Sequence, residues 1–137
     1  VSARFEVLDH PADLALRIHG RDLRELFANA AYAMFCQFLP EGLEWLPVTV
    51  ERQVEVDGID DESLLVNWLN ELLYLHETRG ELYSQFELEP LAPGHLRASV
   101  RGAPSERSEI IIKAATFNEL AIARTAEGLV VTVVLDV

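Results

Sequence analysis

Lysine and cysteine are each present once in this sequence, as Lys113 and Cys36. A lone cysteine forms no intrachain disulfide, so the fold is expected to rest on its apolar core and to suit a reducing, cytoplasmic setting. No apolar run approaches the ~20 residues that a membrane span requires. The opening Val-Ser-Ala-Arg-Phe-Glu-Val has no basic head followed by a long apolar stretch, so no secretory signal is expected. The four histidines (His10, His19, His76, His95) are scattered without the spacing of a zinc site, and Cys36 lies on the apolar side of a helical stretch. No glycine-rich phosphate loop and no Gly-x-Ser-x-Gly elbow occurs.

Positive charge is scarce as well. Eleven basic residues face 23 acidic ones, for a net charge of −12. Such a surface repels phosphate backbones, which argues against strong direct binding of nucleic acid. From Arg97 onward acids and bases balance, so the excess lies in the first 96 residues. An acidic body of this kind suits solubility and also a basic protein partner.

Apolar residues make up 50% of the 137 and are spread along the chain, enough for one core. One domain over residues 1–137 is expected. The three-and-four spacing of Leu23, Leu26, Phe27, Ala30, Ala31, Met34, Phe35 and Phe38 predicts a helix, with Asp22 and Glu25 at its start and Pro40 and Gly42 after its end. Leu64, Leu65, Trp68, Leu69, Leu72, Leu73 and His76 predict a second, opened by Asp60, Asp61 and Glu62 and closed by Gly80. The rest alternates like strands. Phe5 and Val7 precede a turn at His10-Pro11, and Leu14, Leu16 and Ile18 follow it. Val48 to Val56 alternate, with Arg52 intruding on the apolar row. Phe86 and Leu88 lead through Pro93-Gly94 to Leu96, Ala98 and Val100, a hairpin. Ile110–Ile112 and Leu129–Leu135 are continuous apolar runs, which predicts covered strands. The expected fold is α+β, with two amphipathic helices on mostly antiparallel sheets.

Three features carry chemistry. Asp9-His10-Pro11-Ala12-Asp13 gathers two carboxylates and an imidazole before an apolar strand, although turn chemistry alone would account for it. Asp136 ends a strongly apolar strand and, where Val137 is the natural terminus, an α-carboxylate follows one residue later. Hard cations such as Ca²⁺ and Mg²⁺ use oxygen ligands of this kind. Lys113 stands alone beside ten arginines, inside Ile110-Ile111-Ile112-Lys113-Ala114-Ala115-Thr116, read as an apolar strand, where a charge is expensive. That choice suggests a need for a compact ammonium rather than a planar fork.

These features coincide with a known family. Asp9 to Leu16 resembles the N-terminal His-Thr-Ala-Asp-Ile-Gly box of the archeases. These are small accessory proteins of the GTP-dependent tRNA-splicing RNA ligase. Leu64 to Leu73 is similar to their second helix, Lys113-Ala114-Ala115-Thr116-Phe117 to their Lys-Ala-x-Thr-Tyr strand, and Val133 to Val137 to their terminal strand. Pro11, Ala15 and Asn118 depart from the family's usual Thr, Gly and His. The resemblance implies that Asp13, Asp136 and Val137 form a divalent-metal site, for Ca²⁺ or alternatively Mg²⁺, and that Lys113 is required for function. It also implies an activator of the ligase, promoting its guanylylation and turnover, and not an enzyme. Two rival readings of the same residues are a stand-alone metal-dependent phosphoester hydrolase and a chaperone-like interaction module without site chemistry.

Overall fold

The computed structural model of the chain describes residues 4–9, 13–105, 110–118 and 120–137. The expected turn at His10-Pro11 lies outside them.

Both helices begin where the sequence supplies a side-chain cap. Asp22 lies in extended conformation ahead of α1 (Leu23–Cys36), and its carboxylate accepts the Glu25 amide at 2.8 Å. Glu25 in turn accepts the Arg21 amide at 2.9 Å and its guanidinium at 2.7 Å. Orphan donors of the first turn are thereby satisfied. The helix stops at Cys36, short of the apolar stripe. Gln37, Phe38 and Leu39 bond to carbonyls three residues back, a tighter winding that still delivers Phe38 to the core. Asp60 caps α2 (Asp61–Arg79) by accepting the Ser63 amide at 2.7 Å. Gly80, at φ 65°, closes it in the left-handed region that favours glycine. Trp68 on α2 donates its indole N–H to the Phe27 carbonyl of α1 at 3.0 Å, tying the helices through the core.

The strands form two antiparallel sheets. In the first, β1 (Phe5–Leu8) pairs with β2 (Leu14–Gly20), and β2 with β8 (Gly128–Asp136). The other edge of β8 is shared by β6 (Ala114–Thr116) and β7 (Ala123–Thr125). In the second, β5 (His95–Pro104) lies between β3 (Val50–Asp57) and β4 (Glu81–Leu88). Helix α1 packs on β2 and β4, and α2 on β3 and β6, so each helix touches both sheets. One hydrophobic cluster joins both helices to both sheets. Among the described residues no helix is long and apolar enough to cross a membrane.

The run Leu129–Leu135 is internal to its sheet, as expected. Ile110–Ile112 is not a strand, which corrects the sequence-based expectation. Strand β8 ends at Asp136, whose rung partner is Ala114, so residues before Ala114 have almost no backbone left to pair with. Ile112 still turns inward at 6% exposure, whereas Ile111 is 74% exposed. Cys36 is half-buried against the core, and burial pushes its thiol up, as suits a small hydrophobe. His76 is half-buried too. It donates from Nδ1 to the Glu81 carbonyl at 2.8 Å and lies against Phe38.

Arg52, the intruder in an apolar row, has a partner in the core. Its guanidinium donates twice to the buried carboxylate of Glu81, at 2.9 and 2.6 Å, and the Tyr83 hydroxyl donates to the same group at 2.7 Å. Arg52 holds the Glu81 carboxyl below the usual glutamate range against the opposing effect of burial. Burial, with Glu81 beside it, pushes the Tyr83 hydroxyl well above its ordinary value. Because the Glu81 pKa is depressed on folding, this stabilisation is complete above the unfolded value of ~4.3 and is lost as pH falls below it through the folded one. Arg52→Met should leave Glu81 buried without its cation and cost about 2–3 kcal/mol, the low side for a buried pair because Arg52 is one-third exposed. Thermal melts from pH 3 to 7 check this: the difference between parent and variant should shrink toward the acid end.

Candidate functional site

Strand register brings the residues singled out at the two ends of the chain to one end of the same sheet. The β2–β8 ladder ends with Leu14 opposite Leu135, so Asp13 and Asp136 are the residues that flank its last rung. Leu135 is fully buried, so alternation turns Asp136 away from the core, and it is exposed. Asp13 is partly buried. On the other edge of β8, Ala114 pairs with Asp136, and the Lys113 amide donates to the Asp136 carbonyl at 2.7 Å. Asp136 therefore sits between the start of β2 and the start of β6, with Val137 one residue beyond and 38% exposed.

Lys113 is exposed and lies ahead of β6 rather than within an apolar strand. The expense of burying its charge therefore does not explain why lysine stands here. Among the described residues it makes no ion pair, so no structural salt bridge accounts for it either.

The donor set suits a hard cation better than a soft one. Two carboxylates on adjacent strands offer up to four oxygens, and no thiolate or imidazole of the described residues joins them. No group of three or more His, Cys, Asp or Glu side chains among the described residues could hold a metal ion. A cation at Asp13 and Asp136 would need its remaining ligands from the Val137 carboxylate, carbonyl groups, water or a partner. A separate cavity of about 820 Å³ lies toward the far end of β2, lined in part by Arg4, Arg17, His19, Arg21 and Glu25. It includes none of Asp13, Lys113, Asp136 and Val137, and Glu6 and Glu25 already engage Arg17, His19 and Arg21.

One positioning residue escapes a reading of the sequence. Asn70 on α2 accepts the Ala115 amide at 2.8 Å and donates to the Ala115 carbonyl at 3.2 Å, supplying the strand partner that β6 lacks on its outer edge. Glu62 does similar duty one stretch later, accepting the Ile122 amide at 3.1 Å. The available signal was an asparagine among the leucines of α2, which helix propensity alone does not favour. Thr116 completes the clamp by donating to the Val134 carbonyl at 3.0 Å.

Comparison with known proteins follows the same lines. Residues 5–137 match the family model described as the Archease protein family (MTH1598/TM1083). The chain is similar to protein archease of Archaeoglobus fulgidus, at 35% identity over 98% of this chain and 99% of that one. It is similar also to protein archease of Methanosarcina acetivorans, at 34% identity over 98% and 96%. The solution structure of Methanobacterium thermoautotrophicum protein 1598 superposes with a TM-score of 0.79 at 30% identity, covering 98% of this chain and 99% of that one. A Thermotoga maritima protein, described as an archease and possible chaperone, shares the fold with a TM-score of 0.68 at 21% identity over 95% and 94%.

Asn70→Ala would strand the amide and carbonyl of Ala115 together. The expected cost is about 2 kcal/mol, with faster hydrogen exchange at Ala115 than in the parent. Asn70→Asp keeps an acceptor for the amide but offers the carbonyl no donor, so it should fall between the two. Equal exchange rates in all three proteins would remove Asn70 from this role.

Proposed function

The chain belongs to the archease family, and on that premise we propose that it is a metal-binding accessory protein of a GTP-dependent tRNA-splicing RNA ligase. In this role it is not a catalyst itself but promotes guanylylation of the ligase and restores its turnover. The observation that supports this most directly is the β2–β8 register, whose last rung, Leu14 opposite Leu135, is flanked by Asp13 and Asp136.

Asp13 and Asp136 would hold Ca²⁺ or Mg²⁺, joined by the α-carboxylate of Val137 where that residue ends the chain. A cation held there would supply positive charge that could offset developing charge on phosphate oxygens of the ligase's nucleotide. Asp136 orients its carboxylate from a strand end that is hydrogen-bonded on both sides. Lys113 presents a compact, solvated ammonium at the same edge, suited to contact with a phosphate oxygen or to steadying the carboxylates. The net charge of −12 favours docking onto a protein that must itself be basic to hold RNA.

A second reading has some support in the Thermotoga maritima relative described as a possible chaperone. An interaction module without site chemistry would keep full activity as Asp13→Ala, whereas the metal-dependent activator would not. Turnover of phosphoesters by the protein alone would instead favour a hydrolase.

Titration calorimetry tests the metal. The parent should bind Ca²⁺ or Mg²⁺, and more weakly as pH falls and carboxyl groups protonate. Asp13→Asn and Asp136→Asn should lose most of that affinity, and variants that bind like the parent would remove both residues from the site.

Lys113 is tested by exchange for Arg and for Met. The side chain is exposed, so both variants should melt within about 0.5 kcal/mol of the parent. Both should nevertheless lose most activation, read as the rate of ligase guanylylation, because neither retains a compact ammonium. Full activation by Lys113→Arg would mean that any positive charge suffices.

A further inference from the structure

Beside the β6 segment lies a groove of about 440 Å³, lined by Asp57, Gly58, Ile59, Ser63, Asn67 and Phe117. Its two large apolar residues are poorly covered, Ile59 at 95% exposure and Phe117 at 58%. Ile59 occupies the short turn between β3 and α2, where a polar residue would be the cheaper choice. The turn is held from several sides. The Gly58 amide donates to the Gly94 carbonyl at 3.0 Å, and Asn67 donates to the Asp57 carbonyl at 2.7 Å. Asp60 caps the helix immediately after Ile59, and a Cβ on Gly58 would come within 2.5 Å of the Leu64 amide nitrogen. Ile59 is thus displayed on a fixed turn without contributing to the core, which is the condition of an anchor ordered before it binds.

We propose that this groove is a docking site for an apolar side chain on a positively charged protein surface, namely that of the ligase. The inference rests on the function proposed above and adds the face through which the ligase is held. Charge selects the occupant. The rim carries Asp57, Asp60 and Asp61, all exposed, with the His95 imidazole 2.6 Å from the Asp57 carboxylate. These carboxylates outweigh the roughly half charge of the α2 N-terminus. A nucleic acid would meet like charge there, and so would a second copy of a chain carrying −12. Position selects the same partner. Phe117 is four residues from Lys113, about 13 Å along an extended segment, and a standard interface buries about 800 Å² per partner, broad enough to cover both.

The test is calorimetry of the full chain with the ligase, using the parent, Ile59→Ser, Phe117→Ser and the double variant, with thermal melts and Ca²⁺ titrations alongside. The parent should bind, and more weakly as salt is raised. Each single variant should fold, keep the parent's Ca²⁺ affinity and bind the ligase roughly tenfold more weakly, as loss of an interface anchor requires. Guanylylation should recover when the variants are supplied in excess. Variants that bind like the parent would overturn the docking site and leave the proposed function standing. A parent that does not bind the ligase would overturn the proposed function and this inference with it. A parent that sediments as a dimer, with Ile59→Ser a monomer, would assign the groove to a second copy and overturn it as well.

Discussion

Seven antiparallel rungs, from Leu14 opposite Leu135 to Gly20 opposite Leu129, join the beginning of the chain to its end. The apolar face of the first sheet, with Leu16, Ile18, Val131, Val133 and Leu135, exists only in this register. A slip of one residue would turn those side chains outward and drive polar neighbours such as Arg17 and Thr132 inward. The same slip would separate Asp13 from Asp136. Core and candidate site therefore share one constraint, because the rungs that bury the apolar set also carry Asp13 and Asp136 to the same end of the ladder.

Forming that ladder closes a loop of more than a hundred residues, an entropic cost that grows only slowly with length. The intervening chain adds support in layers. Both helices reach both sheets, and the Trp68 bond to Phe27 links them where neither is wet. Polar side chains of α2 then serve the short strands that cannot secure themselves. Three residues of β6 would be marginal as an edge, and Asn70 gives them the backbone partners they lack. The segment carrying Lys113 and Phe117 thus depends on an asparagine from a helix 45 residues earlier. In the second sheet Arg52, Glu81 and Tyr83 show the complementary solution, in which every polar group brought into the core finds a partner.

Much of this was legible in the sequence because its causes are local. Asp22, Asp60 and Gly80 act within a turn of their own helices, and the Pro93-Gly94 turn acts within its hairpin. Periodicity marks which face of α1 and α2 is apolar, since 3.6 residues per turn is a property of the backbone itself. The carboxylates of Asp13 and Asp136 could also be picked out, as charges bordering apolar strands. Ile110–Ile112 misled for the opposite reason. A run of β-branched residues suits a strand, but a strand needs a neighbour, and β8 ends before it can supply one.

What the sequence by itself determined is the set of elements, their caps and the apolar stripes, because each follows from interactions a few residues long. Only the tertiary structure decided that Asp13 and Asp136 lie at the same end of the β2–β8 ladder, that Lys113 stands in solvent, and that Asn70 completes β6. Those outcomes depend on register between strands more than a hundred residues apart and on which backbone groups remain unpaired once the sheet has formed. No local propensity encodes either.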